Sequence, residues 1–116
     1  MCHIKDLLFV FFVTVLIANP VLSADINKGV NAHHKGDYVT ALRELMPLAE
    51  QGNGNAQLTL GIMYAFGHGV LQDYTRAHMW WNIAASNGYE SARDNRDTLA
   101  KEMTPSQIEV AQRLAY

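Results

Sequence analysis

Six residue pairs in this chain recur at one fixed offset. Asp37 and Tyr38 return as Asp73 and Tyr74, Ala41 as Ala77, Ala49 as Ala85, Gly52 as Gly88 and Ala56 as Ala92, each 36 residues apart with no insertion. A constant period in this range marks stacked helical repeats, each burying its apolar face against the next. The expected fold class is all-α: a short right-handed α-solenoid of antiparallel helix pairs. It should hold about two repeats, 37–72 and 73–103, with flanking helices over 25–35 and 105–115.

Local signals fill in that frame. Asp25 to Lys35 reads as a weak first helix, because Gly29 interrupts its apolar spacing. Gly36 ends it, and Asp37 can cap the next helix by accepting from orphan amides. Ala41, Leu45, Leu48 and Ala49 form one stripe of that helix. Pro47 lies within it and should kink or break it, at a cost near 3 kcal/mol. After the turn Gly52-Asn53-Gly54, a helix over about 55–66 should turn Ala56, Leu60, Met63 and Tyr64 inward.

Gly67 and Gly69 then give a loop with two positive-φ positions, beneath which Val70 can plug the gap. Asp73 caps a helix with Ala77, Trp81, Ala84 and Ala85 inward, and Gly88 closes it. Residues 91–102 form the most polar helix. Thr104-Pro105-Ser106-Gln107 reads as a capping box with proline at the first helical position. Ile108, Ala111 and either Leu114 or Ala115 should be the buried side of the terminal helix.

The spacing of Ala56, Leu60, Gly61, Tyr64, Gly67, Gly69, Val70, Asp73, Ala77, Trp80, Ala84, Ala85 and Gly88 resembles the Sel-1-like repeat family, a branch of the tetratricopeptide-like α-solenoids. The resemblance implies that these are structural repeat positions and that the protein is a non-catalytic adaptor or scaffold for a protein or peptide partner. Trp80 matches the tryptophan that helps pack the family's helix pair. Secreted relatives carry paired cysteines that bridge each repeat. This chain has one cysteine, Cys2, outside the repeats, so properties of the cysteine-rich branch do not carry over.

Catalytic and metal signals are weak. His33, His34, His68 and His78 have no i, i+4 ligand partner, and a histidine zinc site needs three ligands from separate elements. They read as surface imidazoles, and neither metal nor cofactor is expected. Glu90, Asp94 and Asp97 share a helix with Arg93, Arg96 and Lys101, so Arg93–Asp97 and Asp97–Lys101 should be ordinary i, i+4 pairs on a solvated face. Ser86, Ser91 and Ser106 lack a lysine three residues on, and no phosphate-binding glycine loop is present. With a net charge of −2, nothing suggests nucleic acid. Trp80 and Trp81 point about 100° apart on a helix, so one should be core and the other partly exposed.

Enzymatic alternatives are a hydrolase of β-lactams or cell-wall material, by analogy with cysteine-rich relatives, and an accessory subunit of an envelope enzyme complex. The absent cysteines and Ser-x-x-Lys pair count against the hydrolase.

A partner surface is expected on the first helix of each repeat, opposite its buried stripe. In the second repeat this is Thr75, Met79, Asn82 and Ser86, and in the first Val39, Arg43, Met46 and Glu50. Arg43, Met46, Met79, Asn82 and Ser86 are the candidate contacts, with methionine supplying an adaptable surface.

Lys5, the apolar run Leu7 to Ala18, the break at Asn19-Pro20 and the small residues Ser23-Ala24 together read as a signal peptide over 1–24. The run is short of the roughly 20 residues that span a bilayer. Export to the periplasm or medium of a bacterial source, without stable membrane insertion after cleavage, is the expectation. The mature chain should begin at Ala24 or Asp25. Intact-mass measurement on a cell-envelope fraction checks this, and a full-length species held in the membrane contradicts it.

Overall fold

The computed structural model describes residues 24–116; the signal peptide assigned to 1–24 lies, but for Ala24, outside the described residues. Six helices follow one another: α1 (Ile26–His34), α2 (Tyr38–Glu50), α3 (Gly54–Phe66), α4 (Tyr74–Ser86), α5 (Glu90–Ala100) and α6 (Pro105–Ala115). The described residues contain no strand, and the arrangement is an all-α solenoid. No helix among them is long and apolar enough to cross a membrane.

Side-chain caps set where most helices start. Asp25 accepts from the amides of Asn27 and Lys28, Asp37 from Thr40, Asn53 from Ala56 and Asp73 from Arg76. Each satisfies donors that the first turn leaves without a partner. Thr104 and Gln107 form the reciprocal capping box, at 3.1 and 2.9 Å. The turns close through glycines in the left-handed region, Gly36, Gly52, Gly67, Gly69 and Gly88. Pro47 does not break α2, which runs on to Glu50. Proline costs its own amide bond, and here one short turn follows, closed by Gln51 donating back to the Pro47 carbonyl at 3.2 Å.

Each helix packs on its successor through α5, and α6 returns to lie against α4. Two apolar clusters result. One joins α1, α2 and α3 through Ala32, Ala41, Leu45, Ala49, Ala56, Leu60 and Met63. The other surrounds α4 with Tyr64, Ala77, Trp81, Ala84, Ala85, Ala92, Leu99, Met103 and Ala111. Ala111 and Ala115, rather than Leu114, face inward on α6; Leu114 is 55% exposed. Half-buried Trp80 packs against both clusters and ties them together.

Close helix approach explains several glycines and alanines. Trp81 is 4% exposed, and its indole lies flush on α3 where Gly61 has no side chain; a Cβ there would collide with the indole Nε1 edge. Gly29, which weakens α1 as an isolated helix, admits Leu45 in the same way: a Cβ at 29 would stand 2.7 Å from Leu45 Cδ2. Packing overrides propensity at that position.

Buried polar groups are the part the periodicity missed. Gln57 is 2% exposed. Its Nε2 donates to the Ala49 carbonyl at 3.0 Å, and its Oε1 accepts from Asn87 Nδ2 at 3.2 Å. One side chain thus joins the ends of α2 and α4 through α3. Glu44, also buried, accepts from the Asp25 amide at 3.0 Å and pairs with Lys28 at 3.5 Å, anchoring the start of α1.

His78 corrects the reading of all histidines as surface groups. It is 3% exposed, and its Nδ1 has no hydrogen-bond partner. Burial, reinforced by nearby Arg96 and opposed by Asp97, holds its pKa below the usual 6.5.

Two outcomes are expected. Gly61→Ala should cost roughly 1–3 kcal/mol in a urea melt, because the α3–α4 contact cannot open without losing the Trp81 packing. For His78, the unfolded chain binds more protons than the folded one below pH 6.5, so its contribution is complete above that value and is lost as pH falls. Urea melts from pH 7.5 to 5 should show stability declining in the parent and declining less in His78→Phe.

Candidate protein-binding clefts

The first helices of successive pairs, α2, α4 and α6, share one side of the stack. α2 and α4 do not close on each other there. The gap is a cleft of about 380 Å³ lined by Met46 and Glu50 of α2, Arg76, Met79 and Trp80 of α4, Leu114 of α6 and Tyr64 of α3. The repeat explains the position. Small residues on the inward stripe, Ala41 with Ala49 and Ala77 with Ala85, draw α2 and α4 down onto α3, while the bulkier opposite stripes stay apart. Arg76 lies on the rim, its Nε 3.4 Å from Asp73 Oδ2 and its guanidinium 5.8 Å from the centre of the Tyr64 ring. Two thioethers, an indole, a phenol ring and a leucine make the interior soft and apolar, with Arg76 and Glu50 as the charged groups of the lining.

Only part of the expected contact set meets in this cleft. Met46 and Met79 meet there, with Glu50 beside them. Arg43 does not: it turns to Thr40 Oγ1 at 3.4 Å and to Glu44 at 3.9 Å. Asn82 and Ser86 line a separate, more polar hollow of about 250 Å³ with Ala85, Arg93, Arg96 and Tyr116. Asn82 is not a free surface residue there. Its Oδ1 accepts from Arg96 Nη1 at 2.7 Å, which ties α4 to α5. Arg96 also holds Asp97, through Nε and Nη2, both at 3.0 Å. The adjacent pair replaces the expected i, i+4 pairs because Arg96 is drawn inward by Asn82 and carries Asp97 with it.

A larger hollow of about 500 Å³ opens on the other side of α4, between α3 and α5. Tyr74 and Trp81 face it, with Ile62, Ala65 and Leu99 as apolar walls and Phe66, 67% exposed, among its lining residues. Nothing in the repeat spacing pointed here. An aromatic residue one position before a closing glycine, as Phe66 is, was the available signal. The adjoining loop also carries Leu71, 91% exposed.

The repeat-motif residues occupy structural positions. Gly67 is the left-handed C-cap of α3, Gly69 has φ 74° with Tyr38 Cβ packed over it, and Gly88 closes α4. Asp73 caps α4, Tyr64, Ala77, Ala84 and Ala85 are core, and Gly61 seats Trp81. Among the described residues, no three His, Cys, Asp or Glu side chains converge as a metal site.

Asn82→Ala should lower stability by about 0.5–1.5 kcal/mol, because the Arg96 guanidinium loses its acceptor on α4. Ser86→Ala, which removes only a bond to the local Ile83 carbonyl, should stay within about 0.5 kcal/mol. Thermal or urea melts of the two variants compare them directly.

A comparison with protein families agrees with this architecture. Residues 54–89 match the family model of the Sel1 repeat, a span that covers α3, the glycine loop, α4 and the turn to Tyr89. Sel1 repeats mediate protein–protein interactions, and proteins built from them are generally non-catalytic adaptors. The chain carries a Sel1 repeat at residues 54–89.

Proposed function

We propose that this protein is an exported, non-catalytic adaptor whose repeat domain, residues 25–116, holds a segment of a protein partner in the cleft between α2 and α4. The observation that carries the reading is the meeting of Met46, Met79, Trp80 and Tyr64 in one open apolar cleft on the shared side of α2, α4 and α6. Unbranched thioethers repack around different side chains at little cost, and aromatic walls give a buried guest large contact area. A helix or extended segment offering one or two apolar side chains suits the space. The apolar run at Leu7 to Ala18 and the small residues after it support export, and division of the domain into repeats 37–72 and 73–103 follows the 36-residue period.

A second docking face is favoured by exposed Phe66 in the lining of the α3–α5 hollow. The hydrolase alternative finds less support: the charged side chains around the α2–α4 cleft are a salt-bridged arginine and a glutamate, and among the described residues the lining holds no serine, threonine or cysteine.

The test is quantitative affinity capture from an envelope extract, read by mass spectrometry, with parent and variants matched for melting behaviour. Met46→Glu and Met79→Glu should each reduce recovery of a saturable partner by tenfold or more, while Phe66→Ser leaves it intact. Loss with Phe66→Ser alone moves the site to the α3–α5 hollow. Turnover of β-lactam or peptidoglycan substrates by the purified protein would overturn the non-catalytic reading.

A further inference from the structure

The repeat pattern gives no account of one contact between distant parts of the chain. His33 lies near the end of α1, and His68 lies in the loop between α3 and α4. His33 Nε2 and His68 Nδ1 are 3.1 Å apart, bridging 35 residues of sequence. Two neutral imidazoles at that distance share one proton: one ring donates and the other accepts.

The surroundings fix both rings. Tyr38, the first residue of α2, stacks on His68 with centroids 4.7 Å apart and planes 1° from parallel. Tyr38 also lies 5.6 Å from the centre of the His33 ring, and Phe66, from the end of α3, lies 5.8 Å from His68. Tyr38 can take this place because Gly69 lacks the side chain that would collide with its Cβ. The contact therefore joins α1, α2 and the inter-repeat loop at one point.

We propose that the His33–His68 contact is a proton-operated latch, closed when both rings are neutral and opened by acid, that fastens α1 to the loop spanning residues 67–72. One added proton leaves a bond, now from an imidazolium to a neutral ring. Once both rings are protonated, both facing nitrogens carry hydrogens, the bond is lost and two cations stand in contact. The other titratable groups facing the pair are His34 on α1, whose ring centre is 6.0 Å from that of His33, and the Tyr38 phenol. Phe66 brings no charge from α3. Lys35 and Asp37, in the turn between α1 and α2, are exposed. Among the described residues no carboxylate forms an ion pair with either ring. Burial, then His68 and His34, hold His33 below the usual 6.5, which favours its neutral, bonded form at neutral pH. Opening belongs below that value. Two imidazoles fall short of the three protein ligands that a zinc site takes, and the proton remains the switching species.

Amide hydrogen exchange reads the latch directly, because the loop amides of His68 and Asp73 are bonded to the Met63 and Tyr64 carbonyls. With intrinsic rates corrected for pH, protection at 67–73 should fall between pH 7.5 and 5, approaching tenfold per pH unit for one proton taken up. The fall should exceed that at core amides of α3 and α4, which report the global effect of His78, and it should persist in His78→Phe. His68→Phe preserves the aromatic stack and His33→Gln preserves a polar side chain, and both should give pH-independent loop protection. A parent loop with flat protection, or one whose acid response survives in both variants, overturns the proposal. So does a response that appears only on addition of Zn²⁺.

Discussion

The fit of the Trp81 indole against the bare backbone of Gly61 governs how α3 and α4 meet inside the matched repeat. A side chain at 61 would occupy the ring's place, and a smaller residue at 81 would leave a void between α3 and α4. The indole Nε1 donates to the Leu58 carbonyl at 3.0 Å, one turn before Gly61, so the fit has a direction as well as a depth. With α3 and α4 locked in this way, α4 becomes a hub. It also receives α5 and α6, and its Trp80 reaches back to the cluster of α1, α2 and α3.

Much of this was legible in the sequence because period and capping are local properties. Asp37, Asp73 and Thr104 cap through the amides of the first turn that follows them, a bond that residue type and position suffice to suggest, whereas Asn53, read only as a turn residue, caps α3 as well. The alanine stripes also report burial faithfully, since Ala41, Ala56, Ala77, Ala84, Ala92 and Ala111 are all at 0% exposure. Less legible was anything decided by a partner far along the chain. Glu44 and Gln57 look like solvated helix residues until Asp25, Ala49 and Asn87 are brought to them. His78 looks like a surface imidazole until α4 is found at the centre of the second cluster. Asn82 was correctly placed off the inward stripe, but only the position of α5 shows that Arg96 claims it.

The candidate site was legible in a similar way. Subtracting one repeat length brings Met46 and Met79 to the same side of the molecule, because neighbouring first helices run parallel. It cannot tell which side chains on that side converge. Arg43 leaves the set because Glu44, one residue on, is buried and carries a charge. Ser86 and Asn82 leave it because they lie toward the C-terminal end of α4, where the hollow is walled by α5 and Tyr116 instead of α2.

The open cleft follows from the same asymmetry that builds the core. A helix carrying alanines on one stripe and methionine, tryptophan and arginine on others can approach its partner closely on the first and cannot on the rest. Closing α2 on α4 over the cleft would require Met46, Met79 and Trp80 to interpenetrate, and Leu114 of α6 already occupies one wall. The stack therefore reaches its best internal packing while leaving an apolar surface unfilled. Such a surface gains by receiving side chains from another molecule, and its flexible methionines lower the shape precision that the guest must meet. In this protein the cleft is a by-product of how small residues are distributed around α2 and α4, so substitutions that alter the inward alanines should reshape it as surely as substitutions within it.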